Sequence, residues 1–249
     1  MRSPQRLPQL SLPTDDPLEL LRSATLEIVG RLTEASNVTL LCELRTEHSP
    51  EAPHCVYKPI RGERPLEDFP IGTLAYREVA AYELSEAMGW RIVPPTVLRD
   101  GPLGPGMVQA WIEVDEDADI VEMILIRDPR LRRMALFDAI ANNADRKGGH
   151  VLPTEDGHLH GCDHGVCFAV EPKLRTVLWG WRGEPLTDEE VACLQTLRSS
   201  IDGELGRRLA ESLSAPEVAA TARRIDRLLA ACHMPLPDPH RPAIPWPPF

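Results

Sequence analysis

NNADRKGGH, residues 142–150, is the stretch from which the rest of the chain is best read. It is a polar, glycine-bearing loop at the end of a helical pattern. The preceding run PRLRRMALFDAIANNAD begins at Pro129, whose fixed φ suits a first helical turn, and reads as helix to about Asn143. Asp145 therefore opens a loop after a helix. Downstream, VLPTEDGHLHG reads as a hairpin turning at Glu155-Asp156-Gly157, and CDHG, 162–165, as a tight turn carrying Asp163. One hairpin thus separates two aspartates, one on a loop and one on a turn.

Working outward toward the N-terminus, Asp16-Pro17 predicts a capped short helix. Thr25–Leu32, Val38–Arg45 and His54–Ile60 predict three strands of an antiparallel meander. TLAYREVAAYELSEAM predicts a helix over 73–88, capped by Thr73 and ended by Gly89. RIVPPTVLRDGPLGPGMVQAWIE reads as two strands about a Gly/Pro turn, and DADIVEMILI as a short helix. Toward the C-terminus, Thr187–Ser199, Gly203–Ser212 and Glu217–Cys232 read as helices. Many of the 25 prolines crowd the two ends, which predicts extended segments that wrap the domain or hang free.

Four charged groups stand out by placement: Lys58 at the end of a strand, Glu78 inside a helix, Asp145 in a loop and Asp163 in a turn. Phosphate chemistry uses these residue types. A strand-borne lysine reaches nucleotide phosphates when a helical carboxylate fixes its long stem. Two further acids then serve an acceptor hydroxyl and a divalent cation. Lys, Glu, Asp, Asp on strand, helix, loop and turn is the chain order of protein kinases.

The chain has 249 residues, a formal charge of −11 and 43% hydrophobic residues, enough to bury a core. The acidic balance argues against broad nucleic-acid binding or adhesion to anionic lipid. No run reaches the roughly 18 apolar residues of a membrane helix, and no secretory signal is visible, which predicts a cytoplasmic protein. Six scattered cysteines read as free thiols.

The chain resembles the phosphatidylinositol 3-/4-kinase superfamily, in particular its compact type II phosphatidylinositol 4-kinase and HipA-type branch. The resemblance rests on VYKP around Lys58, REVAAYEL with Glu78, GWRIVPPT at 89–96, MVQAWI at 107–112, NNADRKGGH and CDHG, spanning about 55–168. It implies an α+β, two-lobed protein-kinase-like fold. The N-lobe is an antiparallel sheet with one long helix, and the C-lobe is mostly helical. The implied organisation is an N-terminal extension over 1–24, an N-lobe over 25–112, a C-lobe over 113–235 and a proline-rich tail over 236–249. The resemblance further implies ATP with Mg²⁺ or Mn²⁺ between the lobes. Lys58 would contact phosphates and pair with Glu78, and Ser36 and Asn37 would lie over the phosphates. Gln109, Ala110, Trp111 and Ile112 would form the hinge that bonds adenine. Asp145 would be the catalytic aspartate, followed by Arg146 of the family's DR pair, and Asp163 with His150 would bind the metal.

Two departures from that pattern matter. His150 stands where the family places a metal-binding asparagine, and the turn EASNVT lacks glycine. Manganese tolerates imidazole better than magnesium does. The expected activity is ATP-dependent phosphotransfer to an alcohol, with a protein hydroxyl or small metabolite favoured over phosphoinositide. The alternative is a nucleotide-binding pseudokinase with a regulatory or scaffolding role. A second chemistry, zinc held among His158, His160, Cys162, His164 and Cys167, is the weaker reading because the spacing matches no closed set. Trp111, Trp179, Trp181 and Trp246 read as packing residues rather than a base-stacking platform.

Overall fold

The structure is a computed structural model and describes residues 16–32, 37–46 and 52–249. Helix α1, Pro17–Ser23, starts where the Asp16 carboxylate accepts the N–H groups of Leu18 and Glu19, both at 3.1 Å. Strands β1 (Thr25–Arg31), β2 (Leu40–Arg45) and β3 (His54–Pro59) form the expected meander, with Cys42 directly opposite Cys55. Strands β4 (Thr96–Gly101) and β5 (Gly104–Ala110) form a hairpin. β5 inserts beside β3, so the antiparallel sheet has the order β1-β2-β3-β5-β4.

Strand alternation gives the sheet two different faces. Cys42, Leu44, Cys55, Tyr57, Val97 and Val108 pack with Leu21 of α1 into one core. The opposite face carries Val56, Lys58, Met107 and Gln109, with Val56 across from Gln109 and Lys58 across from Met107. Lys58 is therefore aimed away from the α1 core by the same period that buries Tyr57.

Helix α2, Leu74–Met88, matches the predicted span and ends at Gly89 with φ 69°, a left-handed conformation glycine adopts without a side-chain penalty. Its start corrects the expectation for Thr73. That residue has helical backbone angles, and its hydroxyl donates to Pro70 O at 2.7 Å. The cap comes instead from Glu63, whose two oxygens accept Leu74 N–H at 3.2 Å and Ala75 N–H at 2.9 Å. The apolar residues of α2 (Ala80, Ala81, Leu84, Met88) share a core with the helices that follow, with Leu18 of α1 packed at its edge. Arg77, 2% exposed, ties α2 to that body: it donates to Cys167 O at 2.7 Å and pairs with Glu217.

The remainder comprises α3 (Ile120–Leu125), α4 (Arg130–Ala141), the hairpin β6 (Val151–Pro153) and β7 (Leu159–Gly161), then α5 (Asp188–Ile201), α6 (Glu204–Ala210) and α7 (Ala215–Ala231). Pro129 precedes α4 rather than opening it, and the helix ends one residue early, at Asn142 with φ 54°. Thr187 with Glu190 and Ser214 with Glu217 form capping boxes on α5 and α7. Leu131, Leu136, Phe137, Leu194, Leu205 and Ile225 are wholly buried between these helices. Truncating such a leucine to alanine costs about 2–5 kcal/mol. The C-terminal segment wraps the helical body. Ala243 O accepts Thr176 N–H at 3.0 Å, and Pro248 O accepts Gly148 N–H at 2.9 Å. A Cβ on Gly148 would lie 1.9 Å from the Phe249 ring, so only glycine permits that approach. The N-terminal proline-rich residues 1–15 lie outside the described residues. The fold is α+β, with a five-stranded antiparallel sheet and seven α-helices among the described residues.

Candidate active site

Lys58 projects from β3 between two carboxylates. Its Nζ donates to Glu78 Oε1 at 2.6 Å and to Asp163 Oδ1 at 2.8 Å. Burial works against the ammonium, but the charges of Asp163 and Glu78 outweigh it and raise the Lys58 pKa above the usual lysine range. Lys58 in turn holds the Asp163 carboxyl well below its ordinary value, against the opposing effect of burial. The second oxygen of Glu78 accepts the His164 N–H at 2.9 Å, so one carboxylate joins the sheet to the CDHG turn. Asp163 sits at φ 60°, a left-handed conformation that aspartate tolerates better than most residues. Its side chain keeps 51% of its surface open.

The loop bearing Asp145 is built on a buried ion pair that the sequence did not single out. Asp138 of α4 and Arg146 are both 0% exposed and meet at 2.9 Å. Arg146 also donates to Cys162 O at 3.0 Å, and it lies 2.6 Å from His164 Nε2. Arg146 donates there, so His164 Nε2 accepts and the proton resides on Nδ1. Burial, then the Arg146 charge, push the His164 pKa well below its usual value. Nδ1 has no hydrogen-bond partner and lies 3.9 Å from Glu78 Oε2. Asn143 finishes the frame: it donates to Asp138 at 3.0 Å and accepts Asp145 N–H at 3.0 Å. The Asp145 carboxylate, about a third exposed, faces Lys147 Nζ at 3.4 Å.

His150 closes the circuit. Its Nδ1 accepts Lys147 N–H at 3.4 Å, and its Nε2 lies 3.6 Å from Asp163 Oδ2. A neutral imidazole in this arrangement carries its proton on Nε2, toward Asp163. Burial lowers the His150 pKa despite that carboxylate. The contacts Glu78–Lys58–Asp163–His150–Lys147–Asp145 are therefore continuous and bring together the charged residues that the sequence set apart.

A divalent cation fits this donor set on one condition. Among the described residues, no group of three or more His, Cys, Asp or Glu side chains is placed to hold a metal alone. Asp163 and His150 supply two donors, which suits a cation that completes its shell with phosphate oxygens and water. Coordination by His150 Nε2 requires that its proton move to Nδ1 and that the Lys147 bond be given up.

The remaining expected site residues fall as follows. Ser36 lies outside the described residues. Asn37 is described, and its side-chain oxygen accepts Arg64 N–H at 2.8 Å, tying the start of β2 to the segment after β3. In the stretch 109–112, Gln109 donates from its side chain to Thr96 at 2.8 Å. Ala110 N–H is taken by Pro95 O at 2.9 Å and Trp111 N–H by His54 O at 3.2 Å. The sheet therefore consumes the amides of Ala110 and Trp111, and only Ile112 keeps an amide free for a ligand among the described residues. Two buried side-chain atoms without partners, His54 Nδ1 and Glu113 Oε1, flank this stretch. The weaker alternative, a zinc site among these His and Cys residues, is not assembled among the described residues. His158 Nε2 contacts Arg91 O at 2.9 Å, His164 turns to Arg146, and burial raises the Cys162 thiol to about 12.

No protein-family model matches the chain. Phosphatidylinositol 4-kinase gamma 4 of Oryza sativa subsp. japonica is 27% identical over 154 residues, covering 53% of this chain but 27% of that protein. Phosphatidylinositol 4-kinase gamma 7 of Arabidopsis thaliana is 28% identical over 170 residues, with 55% and 26% covered. The chain thus spans about a quarter of the length of either plant protein. Among solved structures, hydra Fam20 with sugar aligns at a TM-score of 0.56 and 16% identity, over 90% of both chains. The Helicobacter pylori proinflammatory kinase CtkA aligns at 0.50 and 11% identity, over 86% of this chain and 94% of that one. The fold is therefore kinase-like. Protein Rv2133c of Mycobacterium tuberculosis is 44% identical over a 270-residue alignment that covers 94% of this chain and 96% of that one. On that identity and coverage, the chain belongs to the family of Protein Rv2133c.

Proposed function

We propose that the chain is an ATP-dependent phosphotransferase of the phosphatidylinositol-kinase-like and HipA-like type, acting on an alcohol. The observation that carries this reading is the unbroken set of contacts from Glu78 through Lys58, Asp163 and His150 to Lys147 and Asp145. Lys58, steadied by Glu78, takes the nucleotide phosphates. The amide of Ile112 meets the purine edge. Asp163, with His150 after its proton has moved, holds a divalent cation, which when bound neutralises phosphate charge. Asp145 accepts the proton of the acceptor hydroxyl as its oxygen bonds to the γ-phosphorus. The β–γ bridging bond breaks and its electron pair leaves with the diphosphate. Lys147 lies against Asp145, where its charge offsets that of the phosphoryl group in flight.

A protein hydroxyl or a small metabolite is the favoured acceptor, because a chain of charge −11 repels an anionic lipid surface. No helix among the described residues is long and apolar enough to cross a membrane. Cytoplasmic residence is part of the same reading. The second reading, a nucleotide-binding pseudokinase, draws support from His150, whose present tautomer points a proton rather than a lone pair at Asp163.

Paired substitutions separate the two. Asp145→Asn is expected to abolish ATP turnover while leaving nucleotide affinity within a few-fold. Asp163→Asn is expected to weaken metal-dependent nucleotide binding itself. Small and equal effects from both would overturn the catalytic assignment. Wild type that binds nucleotide without turnover would favour the pseudokinase.

A further inference from the structure

A cavity of about 730 Å³ lies in the helical body, walled by the segment after the CDHG turn, by α7 and by the chain from His233 to Ala243. Its volume falls in the range of small-molecule sites. Trp179, Leu228, Met234 and Leu236 give it an apolar surface. Its charge is opposite to that of the whole protein: five cationic side chains face two carboxylates, in a chain of net −11. The two carboxylates already have partners. Asp68 meets Lys173 at 2.8 Å, and Asp238 meets Arg241 at 3.8 Å.

Arg175, Arg224 and Arg227 are left without a carboxylate partner among the described residues. Arg224 is largely enclosed and spends its donors on Ile140 O, Ala169 O and Thr221 Oγ1 at 2.7, 3.1 and 2.8 Å. Burial, with little charge to offset it, pulls its pKa down to about 10. Arg175 uses only Nε, on Ala144 O at 2.9 Å, and Arg227 has no hydrogen bond or ion pair among the described residues, its charge lying close to that of Arg224. A desolvated guanidinium without an anion is costly, and planar guanidinium forks match carboxylate and phosphate.

We propose that this cavity binds an amphiphilic anion, a phosphate ester or carboxylate on an apolar body, with Arg175, Arg224 and Arg227 around the charged group and Trp179, Leu228 and Leu236 around the body. The cavity adjoins the loop that bears Asp145, since Arg175 N–H donates to Asn143 O at 2.9 Å, but none of the residues assigned to phosphotransfer lines it. Octyl phosphate is the probe, titrated by calorimetry without ATP or metal, so the outcome is independent of any kinase activity. Saturable one-site binding at least tenfold tighter than that of octyl glucoside or inorganic phosphate is expected. Arg227→Glu, which removes no hydrogen bond or ion pair seen among the described residues, should weaken it at least tenfold with the unliganded melting temperature unchanged. Leu236→Asp, at a 71% exposed residue, should weaken it similarly. Co-sedimentation with phosphatidylcholine vesicles containing phosphatidic acid, lost in Arg227→Glu, would assign the anion to a lipid headgroup. Its absence beside octyl phosphate binding would assign a soluble ligand. Octyl phosphate that binds no better than octyl glucoside, or equally well to both variants, overturns the site.

Discussion

Arg146 places a full positive charge where no solvent reaches, and Asp138 is its answer, eight residues earlier on α4. Removing one partner of such a pair strands the other, at roughly 3–5 kcal/mol. Arg146→Met should therefore lower the urea midpoint sharply, and the double variant with Asp138→Asn should recover part of the loss. No recovery would mean that the pair is not the fulcrum of the loop. His150→Asn tests the neighbouring position. It removes the need for a proton to move before the cation binds, so Mg²⁺-supported nucleotide affinity should rise relative to Mn²⁺. An unchanged Mg²⁺/Mn²⁺ ratio would remove His150 from the metal shell. Lys58, Glu78, Asp145 and Asp163 were legible in the sequence because each is a charge at a marked place on its element. Asp138 was not: in LFDAIA a lone aspartate reads as a solvent-facing helix position. Only the fold, which brings Arg146 back under α4, shows it to be buried. His164 was read only as a zinc candidate for the same reason, since its partners Glu78 and Arg146 come from distant elements.

At the scale of elements, α2 illustrates what local signals carry. Its apolar pattern and Gly89 give its length, because both act within one or two turns. Its cap does not follow, because Glu63 arrives from a loop ten residues upstream to do what Thr73 was expected to do. Glu63→Ala should cost about 1 kcal/mol, as capping losses do, and Thr73→Ala should cost less. Denaturant unfolding of the two variants decides the order, and a larger loss for Thr73→Ala would restore the local cap. The strands were readable as runs of β-forming residues bounded by turn signals. The stretch 109–112 was expected to bond adenine, but which of its amides remain free is decided by bonds to Pro95 and His54, which the sequence does not display.

For the whole molecule, burial holds three histidines neutral: His150, His164 and His160, the last at about 4. An unfolded histidine takes up a proton near ~6.5. Between that pH and the lower folded values, the unfolded chain binds more protons. Stability must therefore fall as pH falls, with each residue adding up to about 1.4 kcal/mol per pH unit. Urea midpoints should decline from pH 7.5 to 5.5, and His160→Gln should flatten the decline. Equal midpoints at both pH values would contradict the neutral, buried state. The position of Lys58 has a separate consequence. Because Lys58 belongs to the sheet while Glu78 lies on α2 and Asp163 in the CDHG turn, the ammonium joins three elements at one point. Moving the sheet away from α2 and the CDHG turn must lengthen both contacts. That forked ammonium is thus a built-in strain gauge for the sheet against the elements packed on it.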